Sequence, residues 1–139
     1  MINFYSENIA LPKIPKRKIA VWIKLVAQNY GKKIGEIAYI FCDDEKILEI
    51  NKRYLQHDYF TDIITFDYSE KNTISGDIFI SLDMIKSNSA KFKTLYDNEL
   101  HRVIIHGILH LCGQNDKTSE EEKIMREKED EAIELLITL

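Results

Sequence analysis

The chain has 139 residues, enough for one compact domain spanning 1–139 whose core needs no disulfide staples. Hydrophobic residues make up 45% and charged residues 30%, with only 5 Gly and 2 Pro, which excludes a disordered, collagen-like or low-complexity chain. The net charge of -4 argues against an overall basic nucleic-acid binder, yet residues 1–57 carry 10 Lys/Arg against 6 Asp/Glu while the rest carry 9 against 17. One end is thereby suited to phosphate and the other stays acidic. No apolar run reaches the roughly 18 residues of a membrane span, and Met1–Ile14 lacks the pattern of a signal peptide. A cytoplasmic protein with no membrane partner is expected, and Cys42 and Cys112 read as reduced core thiols.

In chain order, Ile2–Ser6 alternates apolar and polar residues and predicts a short strand. Ile19, Trp22, Ile23, Val26 and Ala27 recur at helical spacing between Pro15, a good first-turn residue, and Gly31, a good stop. Glu36–Cys42 predicts a buried strand, and Asp43 or Asp44 caps a helix through Ile47, Leu48, Ile50, Asn51 and Tyr54. Asp62–Tyr68 and Ile74–Ser81 predict an antiparallel hairpin. Helices follow over Leu82–Ala90 and Leu95–Cys112. The second of these is apolar nearly all round and so belongs at the centre of the core. Thr118 and Glu121 form a capping box for a last helix, with Met125, Ala132, Ile133 and Leu136 inward. The expected fold is α+β: about four strands in a mixed sheet packed with four to five helices, with a metal site on a central buried helix.

The chemistry concentrates in His106-Gly-Ile-Leu-His110-Leu-Cys-Gly113-Gln-Asn-Asp116. Side chains four apart on a helix lie one turn above each other, so His106 and His110 can hold one metal ion. Gly113 permits a left-handed turn that brings Asp116 back either as a third ligand or only as a turn residue or helix cap. Two nitrogens and a carboxylate suit Zn²⁺, one per chain, or another divalent transition metal, and leave a position open for water. The helical zinc-protease motif has a Glu base directly after its first His; here that position is Gly107, which disfavours a peptidase.

The run His106–Asp116, preceded by Thr61-Asp-Ile-Ile-Thr-Phe66 and Ser75-Gly-Asp-Ile-Phe-Ile-Ser81, resembles the YbeY family of rRNA maturation factors, which are single-strand-specific endoribonucleases. The likeness spans roughly residues 36–135, with Asn51–Tyr54, the two strands and the histidine helix in the family's order. It implies a metal in a cleft between sheet and histidine helix, and a role in processing and quality control of ribosomal RNA. The implied partners are ribosomal RNA and ribosomal subunits, with ribosomal proteins and assembly GTPases as further candidates. The family usually places a third His where this chain has Asp116, an Asp where it has Asn115, and an Arg where it has Leu55.

His106 and His110 are the candidate catalytic residues, assigned first as metal ligands with Asp116. Lys16, Arg17 and Lys18, with Lys24, Lys32 and Lys33, are candidates to gather RNA phosphate or form a solvated helix face. Arg53 is near the family's Arg position but points elsewhere on a helix; His57 and Asp58 either reach the cleft or belong to a solvated loop. Arg102, one turn before His106, either contacts phosphate or pairs with an acidic neighbour such as Glu99. Thr61 and Asp77 either orient a ligand or serve strand edges. The rival from another class is a non-catalytic ribosome-assembly factor with a structural metal.

Overall fold

The structure, a computed structural model, describes residues 1–56 and 61–139. Its elements are β1 (Ile2–Ser6), α1 (Lys16–Asn29), β2 (Lys33–Cys42), α2 (Asp44–Leu55), β3 (Ile63–Asp67), β4 (Thr73–Ser81), α3 (Leu82–Lys91), α4 (Tyr96–Leu111) and α5 (Ser119–Thr138). The four strands form one mixed sheet in the order β1-β2-β4-β3. β1 and β4 run parallel to β2, and β3 pairs antiparallel with β4, Ile63 opposite Ile80 and Thr65 opposite Ile78. No helix is long and apolar enough to cross a membrane among the described residues.

Alternation along β3 and β4 sorts their side chains to two faces. Ile78 and Ile80 join the main core with α1, α4 and α5, whereas Ile64 and Phe79 pack with Ile47 and Ile50 of α2 on the other face. α4 is central as its sequence requires: Ile104, Ile105, Ile108 and Leu109 are all fully buried although they lie on different sides of the helix. α1 and α4 share the main-core face of the sheet and touch each other, α1 packing on β2 and α4 on β4 and β3, nearer the β3 edge.

Several boundaries differ from expectation. β2 starts at Lys33 instead of Glu36, because a register shift between Ile34 and Ile37 interrupts the alternation that a simple reading relies on. Pro15 is the N-cap of α1 and not a first-turn residue. Leu95 caps α4, which stops at Leu111. Asp43 caps α2 by accepting the Lys46 N–H at 2.9 Å, leaving Asp44 to accept the Ser81 hydroxyl at 2.7 Å. Cys42 is buried but Cys112 is only partly so. On α5 Met125, Ala132 and Leu136 are buried, with Ile133 packed against them, and Thr118 and Glu121 complete the capping box.

Trp22 ties α1 to α5: it is fully buried and its indole N–H donates to the Ala132 carbonyl of α5 at 2.7 Å. Trp22→Ala is expected to cost about 3–5 kcal/mol through lost burial and the cavity left behind, with Trp22→Phe costing about 1 kcal/mol for the hydrogen bond. Urea unfolding measures both; equal losses for the two variants would contradict this division.

Candidate functional site

Two glycines set the site. A Cβ on Gly107 would stand 3.0 and 3.1 Å from Ile78 and 3.3 Å from Ile63, so glycine lets α4 lie close against β3 and β4. The position where a zinc protease carries its base is thus filled by sheet packing, and the two flanking histidines are carried to the β3 edge. Gly113 has φ +103°, a conformation glycine adopts without strain, and it turns the chain after α4 back toward the histidines.

The turn delivers Asp116 to His106: Oδ2 lies 3.1 Å from Nε2. The other ring nitrogen, Nδ1, lies 2.7 Å from Oε2 of Glu129 on α5. Glu129 is 5% exposed, and its second oxygen accepts from Arg102 at 3.0 Å while Arg102 also donates to Asp130 at 2.7 Å. An ionised carboxylate only accepts, so Nδ1 carries the proton toward Glu129, and the contact with Asp116 is a hydrogen bond when the ring is protonated and Nε2 donates as well. In neutral His106 Nε2 is a lone pair facing that carboxylate, the arrangement a cation between them would relieve. Glu129 on α5 fixes the ring in both protonation states, and Asp116 adds a second hold on the protonated one.

Burial pushes the His106 imidazole down, but the hydrogen bond to Glu129 and the charges of Glu129, Asp116 and Asp62 outweigh it, leaving its pKa above the ordinary value. A base with a raised folded pKa contributes stability fully present below its unfolded pKa and lost as pH rises through the folded one. Metal-free protein is therefore expected to lose this contribution as pH rises from roughly 6.5 through the raised value. His101, pushed down by burial, works in the opposite direction, so the comparison that isolates His106 is wild type against Glu129→Gln. Thermal melts across pH should show the difference between them shrinking at high pH; a constant difference would contradict the assignment.

His110 and Asp116 line one open cleft of about 310 Å³ with His106, Thr61, Asp62, Ile63 and Thr65. Among the described residues His110 has no hydrogen-bond partner for its ring. Asp62 was absent from the sequence-derived site; burial raises its carboxyl above the usual range, with the His106 charge opposing. The donor set of two imidazoles and a carboxylate suits a borderline transition metal. The 3.1 Å from His106 Nε2 to Asp116 Oδ2 is close to the edge of a tetrahedron with bonds of about 2.0–2.1 Å, roughly 3.3 Å. Among the described residues, however, no three His, Cys, Asp or Glu side chains are already gathered round one point. The donors are of the chemical types that suit such a metal.

The remaining sequence candidates fall elsewhere. Arg102 pairs with Glu129 and Asp130 and not with Glu99, whose carboxylate accepts from the Thr94 hydroxyl. Arg53 is exposed and lies 4.0 Å from Glu49, one turn away on α2. Lys16, Arg17 and Lys18 line a separate shallow groove with Leu139, and Arg17, Lys24, Lys32 and Lys33 line another beside Met1 and Ile2. These two grooves are separate from the clefts that His106 lines. Thr61 does line the cleft, whereas Asp77 accepts from the Tyr68 hydroxyl at 3.4 Å. His57 and Asp58 lie outside the described residues. Burial raises the Cys42 thiol to about 12 and the Cys112 thiol to about 11, which removes both as neutral-pH thiolates.

Glu129 was the main omission. Met125, Glu129, Ala132 and Leu136 share the buried stripe of α5, so a carboxylate at an inward position was the available signal.

An α+β sheet with a pair of helical histidines opening at its β3 edge defines the structural class. The solution structure of TM1509 from Thermotoga maritima has the same fold, with TM-score 0.68 and 26% identity over 98% of this chain and 89% of that one. The family profile described as "Endoribonuclease YbeY" matches residues 2–136. Proteins named endoribonuclease YbeY from Parabacteroides distasonis and Phocaeicola vulgatus are 62% and 60% identical, covering 97% and 98% of this chain and 95% and 99% of theirs. The chain belongs to the endoribonuclease YbeY family.

Proposed function

We propose that the chain is a metal-dependent, single-strand-specific endoribonuclease acting in rRNA maturation and ribosome quality control, with ribosomal RNA and ribosomal subunits as its partners. The observation that carries this reading is the cleft shared by His106, His110 and Asp116, with His106 clamped from behind by Glu129. Family membership and the names of the relatives support an RNA substrate.

His106 Nε2, His110 and Asp116 would hold one zinc ion. Bound there, zinc supplies Lewis-acid polarisation of a phosphoryl oxygen and acidifies water. Cleavage by water breaks one P–O ester bond; one proton leaves the attacking water and one reaches the departing oxygen. With Gly107 in place of a protease-type base, Asp62 is the carboxyl on the cleft wall that serves this transfer. Thr61 and Thr65 offer hydroxyl donors on the same wall.

Cleavage of a single-stranded rRNA fragment by purified protein, before and after chelation and zinc readdition, tests the proposal. Cleavage lost on chelation and restored by zinc, with a duplex of the same sequence left intact, is the expected result. Asp62→Asn should keep the metal yet lower kcat about 10²-fold. If chelation only lowers the melting temperature and the wild type cuts nothing, the protein is an assembly factor with a structural metal.

A further inference from the structure

A second chamber of about 230 Å³ opens on the other side of His106, between the C-terminal end of α3 and helices α4 and α5. It shares Asp62, Ile63 and His106 with the cleft that contains His110 and Asp116, so the two spaces meet at the imidazole. The proposed chemistry uses neither Asn88, Phe92, Glu99 nor Arg126, all of which line it.

Phe92 is a large apolar ring left 60% exposed just past α3, with the Lys91 ammonium 5.5 Å from its centroid. Arg126 has a side chain 62% exposed. It approaches Glu129 only to 3.7 Å, because both Glu129 oxygens already have closer partners in Arg102 and His106. Glu99 has one oxygen taken by Thr94 and further acceptor capacity. Asn88 adds an amide that both donates and accepts.

Three carboxylates, those of Asp62, Glu99 and Glu129, and two guanidinium groups line the chamber. Arg102 is already paired with Glu129 and Asp130, so Arg126 is the cation left for a phosphate, and the carboxylates disfavour one deeper inside. A flat aromatic ligand with N–H donors on its edge suits the same walls: its face stacks on Phe92 and its amino edge donates to Glu99. Arg126 at the rim then meets the phosphate of that nucleotide. The geometry points to a nucleobase subsite formed by Asn88, Phe92, Glu99 and Arg126, next to the scissile phosphate and selective for amino-bearing bases over uracil. Uracil is disfavoured because it presents carbonyl oxygens on either side of its single N–H. Aromatic stacking of unpaired bases is the general means by which proteins hold single strands, and it rejects a base locked in a duplex.

This subsite rests on the endoribonuclease reading, and two experiments separate the failure of one from the failure of the other. The first titrates metal-free protein with the four nucleoside 5′-monophosphates and with ribose 5-phosphate, following the Asn88 side-chain amide and Arg126 Nε–H by NMR. GMP, AMP and CMP are expected to shift both signals. UMP should bind several-fold more weakly and ribose 5-phosphate not measurably. Phe92→Leu should weaken GMP binding about tenfold while Phe92→Trp restores it; both leave an exposed position, so the fold is retained. Equal binding of ribose 5-phosphate, or no shift at either residue, overturns the subsite. The second experiment measures RNA cleavage by zinc-loaded wild type and Phe92→Leu. If the wild type cuts and the variant cuts with unchanged KM and base preference, the subsite is wrong and the nuclease reading stands. If nucleotides bind as described but the wild type cuts nothing, the nuclease reading fails and base binding at the chamber stands.

Discussion

His110→Ala is expected to lower kcat/KM for RNA cleavage by more than about 100-fold, beyond what loss of an outer-shell partner costs a metal site, and to leave the fold in place. His110 lies one turn beyond His106, lines the open cleft and has no hydrogen-bond partner among the described residues, so its removal breaks no bond the fold uses. The effect should come through the metal. Zinc affinity should fall in parallel, and circular dichroism of metal-free wild type and variant should superimpose. A variant that binds zinc normally and cuts RNA at the wild-type rate would remove His110 from the site.

Glu129→Ala is expected to act on both the fold and the site. Arg102 has a side chain 19% exposed and loses its buried partner, while His106 loses the acceptor that fixes its ring. Breaking one side of a buried ionic network costs about 3–5 kcal/mol; here Asp130 still holds Arg102, so the lower end is expected. Zinc affinity should drop about 10–100-fold, the usual cost of losing the carboxylate behind a histidine ligand. Glu129→Gln separates the two roles. Its amide oxygen still accepts from Nδ1 without the charge, so it should recover much of the imidazole orientation. Chelator competition measures the affinities, and urea unfolding of metal-free protein measures the stabilities. Unchanged zinc affinity in Glu129→Ala would show that the 2.7 Å contact plays no part in metal binding.

These two variants mark where the sequence was readable and where it was not. The histidine pair was legible because four-residue spacing on a helix is local geometry, and Gly113 signalled the returning turn because a left-handed conformation favours glycine. The sheet and its helices were legible for the same reason: Ile78 and Ile80 alternate with Phe79, and Trp22, Ile23 and Val26 recur at helical spacing. Glu129 was harder. Placing it against His106 requires the docking of α5 on α4, a contact 23 positions apart in sequence that no local pattern encodes. Within a run of Lys, Glu and Asp it also resembles any solvated helix face. For Arg102 an acidic pairing was legible but its partners were not, since Glu99 lies one turn away while Glu129 and Asp130 sit on another helix. Charge alone leaves Lys16, Arg17 and Lys18 open between gathering phosphate and forming a solvated helix face; where they stand relative to the histidines depends on the strand order β1-β2-β4-β3, with α1 packed on β2 and α4 on β4 and β3.

The most direct test is elemental analysis of purified wild type and Asp116→Ala, followed by cleavage of one single-stranded rRNA fragment with the same samples. About one zinc per chain in the wild type, lost together with cleavage in Asp116→Ala, is the result this account requires. Metal retained in both proteins with cleavage by neither would contradict it, leaving Asp116 as a turn residue beside a structural ion.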